Sequence, residues 1–382
     1  MQQPESYGYG VEDYARRLAG GLGVPDFVYQ PVKIRRGGGS REISDGLLVA
    51  GSDGLIMQVK SREPSAAAAD SVEKAQTWSL KNGLAGQRQA IGTRRTLVRE
   101  VVRAESLRGF ERDLPDAGLW PAIVIIDHPL NPKTVFPSSS DTLFISLHDW
   151  LALHSMVRST TEVITYVQRS LASGVQVPLG GESGRYRALA EADLQASGDS
   201  LTAFPRLPHG QVSHREIEEV SLFDDLIERV ADPLGATGWD PVEYLTIIEQ
   251  LDRVPLIARA RIGAKMRQTF LAVAADRRPK AFRAIGPGGG GNRFAFLYVY
   301  DDSRYGNDGE GFVAEVGCYT ALRQHQAIDA GAELGTATTG IGVLHNPDRG
   351  RRYVFAHFSG RPPSFPSDLR RSLEKQFGNP ER

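Results

Sequence analysis

The stretch Arg41–Arg62, REISDGLLVAGSDGLIMQVKSR, decides the fold of the first half of this 382-residue chain. Apolar residues alternate with their neighbours on both sides of residues 51–54, at the period of a β-strand. Glycine, serine and aspartate fill the interval between the two runs, and such residues are typical of a hairpin turn. The stretch therefore predicts two antiparallel strands joined by a short turn.

Three polar residues interrupt these apolar strands. Residues that lie opposite each other in an antiparallel pair point to the same face. With the turn centred between residues 52 and 53, Asp45 lies opposite Lys60, and Gln58 shares their face. A turn centred on residues 53 and 54 keeps the face but moves Asp45 away from Gln58, unless a bulge corrects the register. A three-residue loop would place Asp45 on the other face.

A divalent metal and a phosphate would explain this polar group, because an unpaired charge among apolar residues is costly. Mg²⁺ prefers oxygen ligands and keeps several waters, so few carboxylates suffice. Asp45 is the charged ligand, and the Gln58 side-chain oxygen and the Val59 carbonyl complete the protein's share. Lys60 would hold the attacking water or neutralise charge on the phosphate. The alternative is an ordinary ion pair between Asp45 and Lys60 on a solvated face.

The flanking sequence predicts the remaining elements of a small α/β domain. Periodicity indicates helices and strands in the order helix, strand, strand, strand, helix, strand. The elements outside the hairpin are a helix at 11–22, a strand at 26–34, a long helix at about 71–102 with interruptions at Gly83, Gly86 and Gly92, and a buried strand at 120–127.

This order, with Asp45 on the second strand and the Gln58-Val59-Lys60 triplet on the third, resembles the PD-(D/E)XK nuclease superfamily. The triplet is most similar to the Mrr-like restriction endonuclease branch, in which glutamine replaces the usual glutamate. The resemblance covers about residues 8–170. It implies a restriction-endonuclease-like core in which Asp45 and Gln58 bind Mg²⁺, with Mn²⁺ as a substitute, and Lys60 is the catalytic lysine. Glu12 matches the first-helix acid of many members, and Asp13 is the alternative inward-pointing residue.

Two basic segments flank the hairpin and are candidates for contact with a nucleic-acid backbone. The segment 33–41, KIRRGGGSR, surrounds three glycines with cations, which would bind phosphates without reading sequence. The long helix carries further polar and basic residues beside the predicted site. The candidates are Lys33, Arg35, Arg36, Arg41, Gln87 and Arg88. The alternatives are a solvated surface loop and a mixed-charge helix face.

Length and composition limit the function classes. A chain of 382 residues predicts two or three domains, and a net charge of −1 gives no bulk signature of nucleic-acid binding, so any such surface is local. One cysteine, Cys318, excludes an internal disulfide and a cysteine zinc site. The polar segment 1–10 predicts no signal peptide, and no apolar run has membrane-spanning length. We therefore expect a cytoplasmic protein.

We predict a nuclease-like domain at 1–170, an irregular linker at 171–213 and a separate α+β domain at 214–382. The linker could hold a helical turn or two at 186–194 and could pack on either neighbour. Within the last, periodicity predicts helices first, then strands at 293–300, 311–316, 339–344 and 352–358, with a helix at 319–332. That domain would sense a partner, recognise nucleic acid or mediate assembly.

Three functions compete. The first is an Mg²⁺-dependent DNA endonuclease of restriction or anti-phage defence, acting as a homo-oligomer and with a possible partner protein. The second is a non-catalytic nucleic-acid-binding or scaffold component on a degenerate nuclease fold. The third is a nuclease that acts on RNA.

Overall fold

The protein is a mixed α/β chain that divides into two compact units, Met1–His209 and Gly210–Arg382. A computed structural model describes residues 6–30, 33–36, 39–195, 207, 212–231, 241–285, 293–300, 310–332, 336–346, 350–362 and 366–377. Within these ranges no helix is both long and apolar enough to cross a bilayer.

The first unit alternates helices and strands. In chain order its helices are α1 (Tyr7–Leu22), α2 (Pro64–Ala67), α3 (Val72–Arg99), α4 (Leu147–Val157), α5 (Thr160–Ser173) and α6 (Glu182–Gln195). Its strands are β1 (Val28–Tyr29), β2 (Lys33–Arg36), β3 (Gly39–Glu42), β4 (Gly46–Ala50), β5 (Asp53–Ser61), β6 (Arg103–Glu105), β7 (Glu111–Asp113), β8 (Ala122–Asp127) and β9 (Thr142–Ser146).

A mixed five-stranded sheet in the order β1-β4-β5-β8-β9 forms the centre of this unit. β4 pairs with β1 and β5 in antiparallel fashion, whereas β5, β8 and β9 run parallel. Helix α3 packs on one face, and α1, α4 and α5 pack on the other. This double cover explains why β8 is apolar along most of its length, as the sequence predicts for the buried strand at 120–127.

The predicted hairpin is confirmed, but its register differs from both registers expected. The turn consists of Gly51 and Ser52, so Ala50 pairs with Asp53. Gly51 has a φ of 61°, which glycine adopts without strain. The Trp120 indole N–H donates to the Ser52 carbonyl at 3.0 Å, and a Cβ at Gly54 would overlap the Trp120 ring. Tertiary packing around the turn therefore selects this register.

The long helix is also confirmed, but the predicted interruptions are wrong, because α3 runs unbroken for 28 residues. Gly83 lies against the ring of Phe136, and a Cβ at Gly86 would come within 2.8 Å of Val124. These glycines cost helix propensity but let the helix approach the sheet closely. They mark contact with the sheet and not the end of the helix.

Two further expectations for the first unit need correction. The single strand predicted at 26–34 is a 3₁₀ turn (Pro25–Phe27) followed by β1, and the chain then enters the separate β2–β3 hairpin. The predicted linker 171–213 holds the 14-residue helix α6, which packs on α4. Asp149 of α4 accepts the Gly180 N–H at 2.6 Å, and Asp193 of α6 pairs with Arg169 of α5. Buried carboxylates thus tie this segment to the first unit.

The second unit has helices before strands, as predicted. Its elements are α7 (His214–Ala231), α8 (Pro241–Asp252), α9 (Leu256–Asp276), β10 (Lys280–Ile285), β11 (Arg293–Tyr300), α10 (Glu310–Asp329), β12 (Ala337–Asn346), β13 (Gly350–Ser359) and α11 (Ser367–Phe377). The sheet order is β10-β11-β12-β13, with β11 and β12 parallel and the other pairs antiparallel.

The strand predicted at 311–316 is wrong, because those residues form the first turns of α10. Phe312, Val316 and Tyr319 recur at helical spacing and are all buried against β11. A six-residue window hides this period, which explains the error. Helix α10 connects the parallel strands β11 and β12 and so absorbs both the predicted strand and the predicted helix at 319–332.

His154 in α4 is fully buried, and neither ring nitrogen meets a hydrogen-bond partner among the described residues. Its ring contacts the Trp150 ring edge-on, with centroids 4.3 Å apart. Burial lowers the pKa of His154 to about 3. Below pH 6.5 this histidine is protonated in the unfolded chain but stays neutral in the folded protein. The free energy of unfolding therefore decreases as the pH falls.

We predict that His154→Phe reduces the acid sensitivity of folding. Between pH 6.5 and pH 4.5 the wild type should lose up to about 1.4 kcal/mol per pH unit more than the variant. Urea unfolding at several pH values measures this difference. His148→Gln is the control, because His148 lies exposed on the same helix. Parallel curves for the wild type and His154→Phe would contradict the prediction.

Candidate active site

The candidate site lies where β4 and β5 separate. β4 begins at Gly46, whereas β5 continues to Ser61, so the last residues of β5 extend beyond their antiparallel partner. The Asp45 N–H donates to the Met57 carbonyl at 3.2 Å, although Met57 is the register partner of Gly46. Two residues of one strand thus oppose one of the other, as in a β-bulge.

Beyond the end of β4, the Asp45 carboxylate accepts the backbone hydrogen bond that a strand partner would otherwise accept. Its Oδ2 accepts the Val59 N–H at 2.6 Å. The predicted opposition of Asp45 and Lys60 across the strands is wrong, because the observed register pairs Gly46 with Met57. N–H and C=O of one strand residue point to the same side. The Val59 carbonyl is therefore directed to the same open edge as the Asp45 carboxylate, as a shared metal ligand set requires.

Gln58 and Lys60 lie on the face of β5 that α3 covers. Gln58 is buried, and its Nε2 donates to the Ile43 carbonyl at 3.4 Å, which leaves its Oε1 outside this hydrogen bond. Thr93 of α3 donates to the same carbonyl. The Lys60 chain passes Gly86, where a Cβ would lie 3.4 Å from Lys60 Cε. Among the described residues, the Lys60 ammonium forms no hydrogen bond or ion pair within 4.0 Å.

Glu12 approaches the same edge from α1. Burial, and then the Asp45 charge, raise the pKa of Glu12 to about 7, against the opposing charges of Arg16 and Lys60. Burial also raises the pKa of Asp45, while the Val59 N–H and the Lys60 charge lower it. The two carboxyl groups are therefore both partly desolvated, and the Asp45 charge acts on Glu12, which favours a bound cation between them and solvent.

Arg16 holds the backbone of this site, and sequence reasoning missed it. Its guanidinium is buried and donates to the Asp45 carbonyl at 2.5 Å. A side chain at Gly46 would press on the Arg16 stem, since a Cβ there lies 3.1 Å from Cγ. The sequence contains no local signal for this role, because the exposed Arg17 lies between the same buried residues, Ala15 and Leu18.

The structure does not bring the other candidates to the site in the predicted way. Asp13, the alternative first-helix acid, pairs with Arg17 at 2.6 Å and with Arg16 at 3.6 Å. Gln87 donates to the Ser139 hydroxyl at 3.0 Å, which occupies the amide predicted to orient a phosphate. Arg88 is exposed on α3.

The backbone of the cationic segment forms the β2–β3 hairpin and not a simple loop. The structure describes the backbone there, and the side chains of the four predicted phosphate ligands lie outside the described residues. These four are Lys33, Arg35, Arg36 and Arg41.

The site offers a metal ion two carboxylates and two neutral oxygen atoms as ligands. In the described parts of the chain, no group of three or more His, Cys, Asp or Glu side chains is arranged to hold a metal ion. Mg²⁺ does not need such a group, because it keeps waters and binds through one or two carboxylates plus substrate phosphates. The donor set of Asp45, Glu12, the Gln58 amide oxygen and the Val59 carbonyl fits Mg²⁺ better than Zn²⁺.

We predict that Glu12→Gln raises the melting temperature of the metal-free protein at pH 8. The raised pKa of Glu12 means that its ionisation destabilises the fold as the pH rises from about 4.5 through 7. Mg²⁺ should stabilise the wild type, by about 2.7 kcal/mol at a hundredfold excess over Kd, and the variant much less. Thermal melts with and without Mg²⁺ measure both effects. Glu191→Gln, at an exposed position, is the control. Equal Mg²⁺ shifts in wild type and variant would refute the prediction.

Comparison of the chain with known protein families, with curated proteins and with solved structures finds no match. Its function must therefore be inferred from the geometry and chemistry of the site itself.

Proposed function

We propose that this protein is an Mg²⁺-dependent endonuclease that hydrolyses phosphodiester bonds in DNA. One observation carries the proposal: the partly desolvated carboxyl groups of Asp45 and Glu12 lie beside Lys60, at an edge where β5 extends beyond β4. An acid pair with a neighbouring lysine suits phosphate chemistry, because a cation and a phosphate together complete its charge balance. The resemblance of the hairpin and its flanks to the PD-(D/E)XK superfamily supports a restriction-endonuclease-like core.

Each residue has a specific task in this proposal. A bound Mg²⁺ would polarise the phosphoryl oxygen and make its water more acidic. Asp45 and Glu12 would hold the ion with the Gln58 amide oxygen and the Val59 carbonyl. Lys60 donates to a phosphate oxygen as charge develops there. The water oxygen forms the new P–O bond, and one ester oxygen leaves and takes up a proton.

Partners follow from the same proposal. A cut in both strands of a duplex needs two such sites, so we expect a homo-oligomer on DNA. A defence role, as in restriction or anti-phage systems, would supply a partner protein that triggers cleavage. In this proposal the exposed Arg88 and the basic residues of β2 and β3 would contact the phosphate backbone.

A non-catalytic role on the same fold is the second candidate, and Gln58 favours it. Its amide already donates to the Ile43 carbonyl, and it replaces a third charged ligand. In that case the site would bind nucleic acid and Mg²⁺ without cleavage. Plasmid DNA, single-stranded DNA and RNA, each assayed with Mg²⁺ and with Mn²⁺, separate this role from the nuclease and a DNase from an RNase.

Asp45→Asn and Lys60→Met should each lower Mg²⁺-dependent cleavage of plasmid DNA at least about 100-fold. The controls make the same chemical changes at exposed positions. They are Asp53→Asn at the start of β5 and Lys81→Met on α3. Circular dichroism checks that each variant folds. Full cleavage by folded Asp45→Asn and Lys60→Met would exclude this site as the catalytic centre.

Gln58→Glu tests the ligand at the third position. Without metal, a carboxylate should repel the Ile43 carbonyl that the amide now contacts, so the melting temperature should fall. With Mg²⁺ the third acid should bind the ion, so the Mg²⁺-induced rise in melting temperature should exceed that of the wild type. Gln176→Glu, at an exposed position, provides the control. An Mg²⁺-induced rise equal to that of the wild type would place residue 58 outside the metal site.

A further inference from the structure

The second unit carries a column of aromatic and cationic side chains that the proposed nuclease site does not use. Tyr300 ends β11, and its parallel register partner in β12 is His345. His345 in turn pairs with Arg351 at the start of β13. Register partners in a sheet share a face, so three adjacent strands present these residues side by side. They lie at the carboxyl ends of the two parallel strands, where open α/β sheets bind ligands.

Helix α9 extends this row into a continuous column. The Tyr300 and His345 ring centroids are 5.3 Å apart, and the Phe270 ring of α9 lies 5.1 Å from that of His345. A guanidinium covers each end, with Arg351 Cζ 4.2 Å from the Phe270 ring and Arg277 Cζ 5.2 Å from the Tyr300 ring. The column therefore holds three rings in a row, with a cation at each end.

The two end arginines keep their hydrogen-bonding capacity. Both are exposed, and within the described chain neither has a carboxylate within 4.0 Å. Stacking on a ring uses the flat face of a guanidinium and leaves its five N–H donors, which lie in the plane, directed outward. The Arg253 guanidinium just after α8, by contrast, is paired with Glu249 at 2.5 Å. Guanidiniums that lie on rings and have no carboxylate partner among the described residues are suited to phosphate.

The centre of the column is only half-covered. Phe270, Tyr300 and His345 are all of intermediate exposure, and the buried His345 Nδ1 meets no hydrogen-bond partner among the described residues. A purely structural ladder would not need rings that are open to solvent. The exposed parts of these three rings offer an incoming planar group a surface on which to stack.

From this geometry we propose that the second unit binds single-stranded nucleic acid along the column of Arg277, Tyr300, His345, Phe270 and Arg351. Bases stack on the half-exposed rings, and the two guanidiniums contact phosphates on either side. Any base can stack on an aromatic side chain, so the proposed site binds single strands without sequence specificity. It goes beyond the proposed nuclease function, because it requires no metal and no catalysis.

The test is fluorescence anisotropy with a labelled 20-nucleotide oligo-dT and the full-length protein in EDTA, where cleavage cannot interfere. For Arg277→Gln with Arg351→Gln we expect at least a tenfold loss of affinity. The slope of log K against log salt should fall by about 1.4, from two lost phosphate contacts at about 0.7 each. Arg253→Gln removes a charge elsewhere in the same unit and should change neither value.

Two further variants separate stacking from charge. Tyr300→Leu should weaken binding without a change in the salt slope, and Arg277→Lys with Arg351→Lys should keep the slope but lose affinity. These expectations apply whether or not Asp45→Asn abolishes cleavage, so failure of the nuclease proposal is a separate result. Unchanged oligo-dT binding by the folded Gln double variant would overturn the proposal. Equal competition by heparin, which has no bases, or tighter binding of duplex would also overturn it.

Discussion

The hydrogen bond from the Val59 N–H to the Asp45 carboxylate is the interaction on which the candidate site depends. A strand that extends beyond its partner leaves backbone donors unpaired, and such donors must find another acceptor. Here the acceptor is a side chain, so the geometry of the sheet fixes an acid at the point where the two strands separate. Arg16 holds the same residue by its carbonyl. The hydrogen bond that satisfies the Val59 N–H therefore also positions the acid of the site. If the Asp45 side chain rotated away, this N–H would lose its acceptor.

Helix α3 covers one side of this site, and two glycines let it approach the sheet closely. Gly83 and Gly86 remove the Cβ atoms that would hold the helix away from the sheet, and Thr93 secures the chain just before Asp45 through the Ile43 carbonyl. The lysine and glutamine of β5 are confined between helix and strand, while Glu12 reaches the edge from the opposite layer. Three layers of the fold therefore meet at one polar point, although most of their contacts are apolar.

The sequence predicted much of this arrangement because alternation and turn residues are local signals. The hairpin, the face shared by Gln58 and Lys60, the long helix and the buried β8 could all be inferred. The exact register could not, because any pair of residues in Gly-Ser-Asp-Gly can form the turn and the choice is made by Trp120, far along the chain. For the same reason Arg16 was missed, since its partner is a backbone carbonyl on another element. The start of α10 was read as a strand because its stripe needs more than six residues to show its period.

The glycine at position 86 also has a consequence for related chains of the same fold. A Cβ there would come within 2.8 Å of Val124 and would already touch Lys60 Cε at 3.4 Å, so any larger side chain would extend into the space of the lysine. In any chain of the same architecture, the residue that aligns with 86 therefore reports on the lysine opposite. A small residue there is compatible with an extended lysine, whereas a bulky one indicates that the lysine has been replaced or points elsewhere. A survey of sequence relatives could sort lysine-bearing from lysine-free members by this helix position alone.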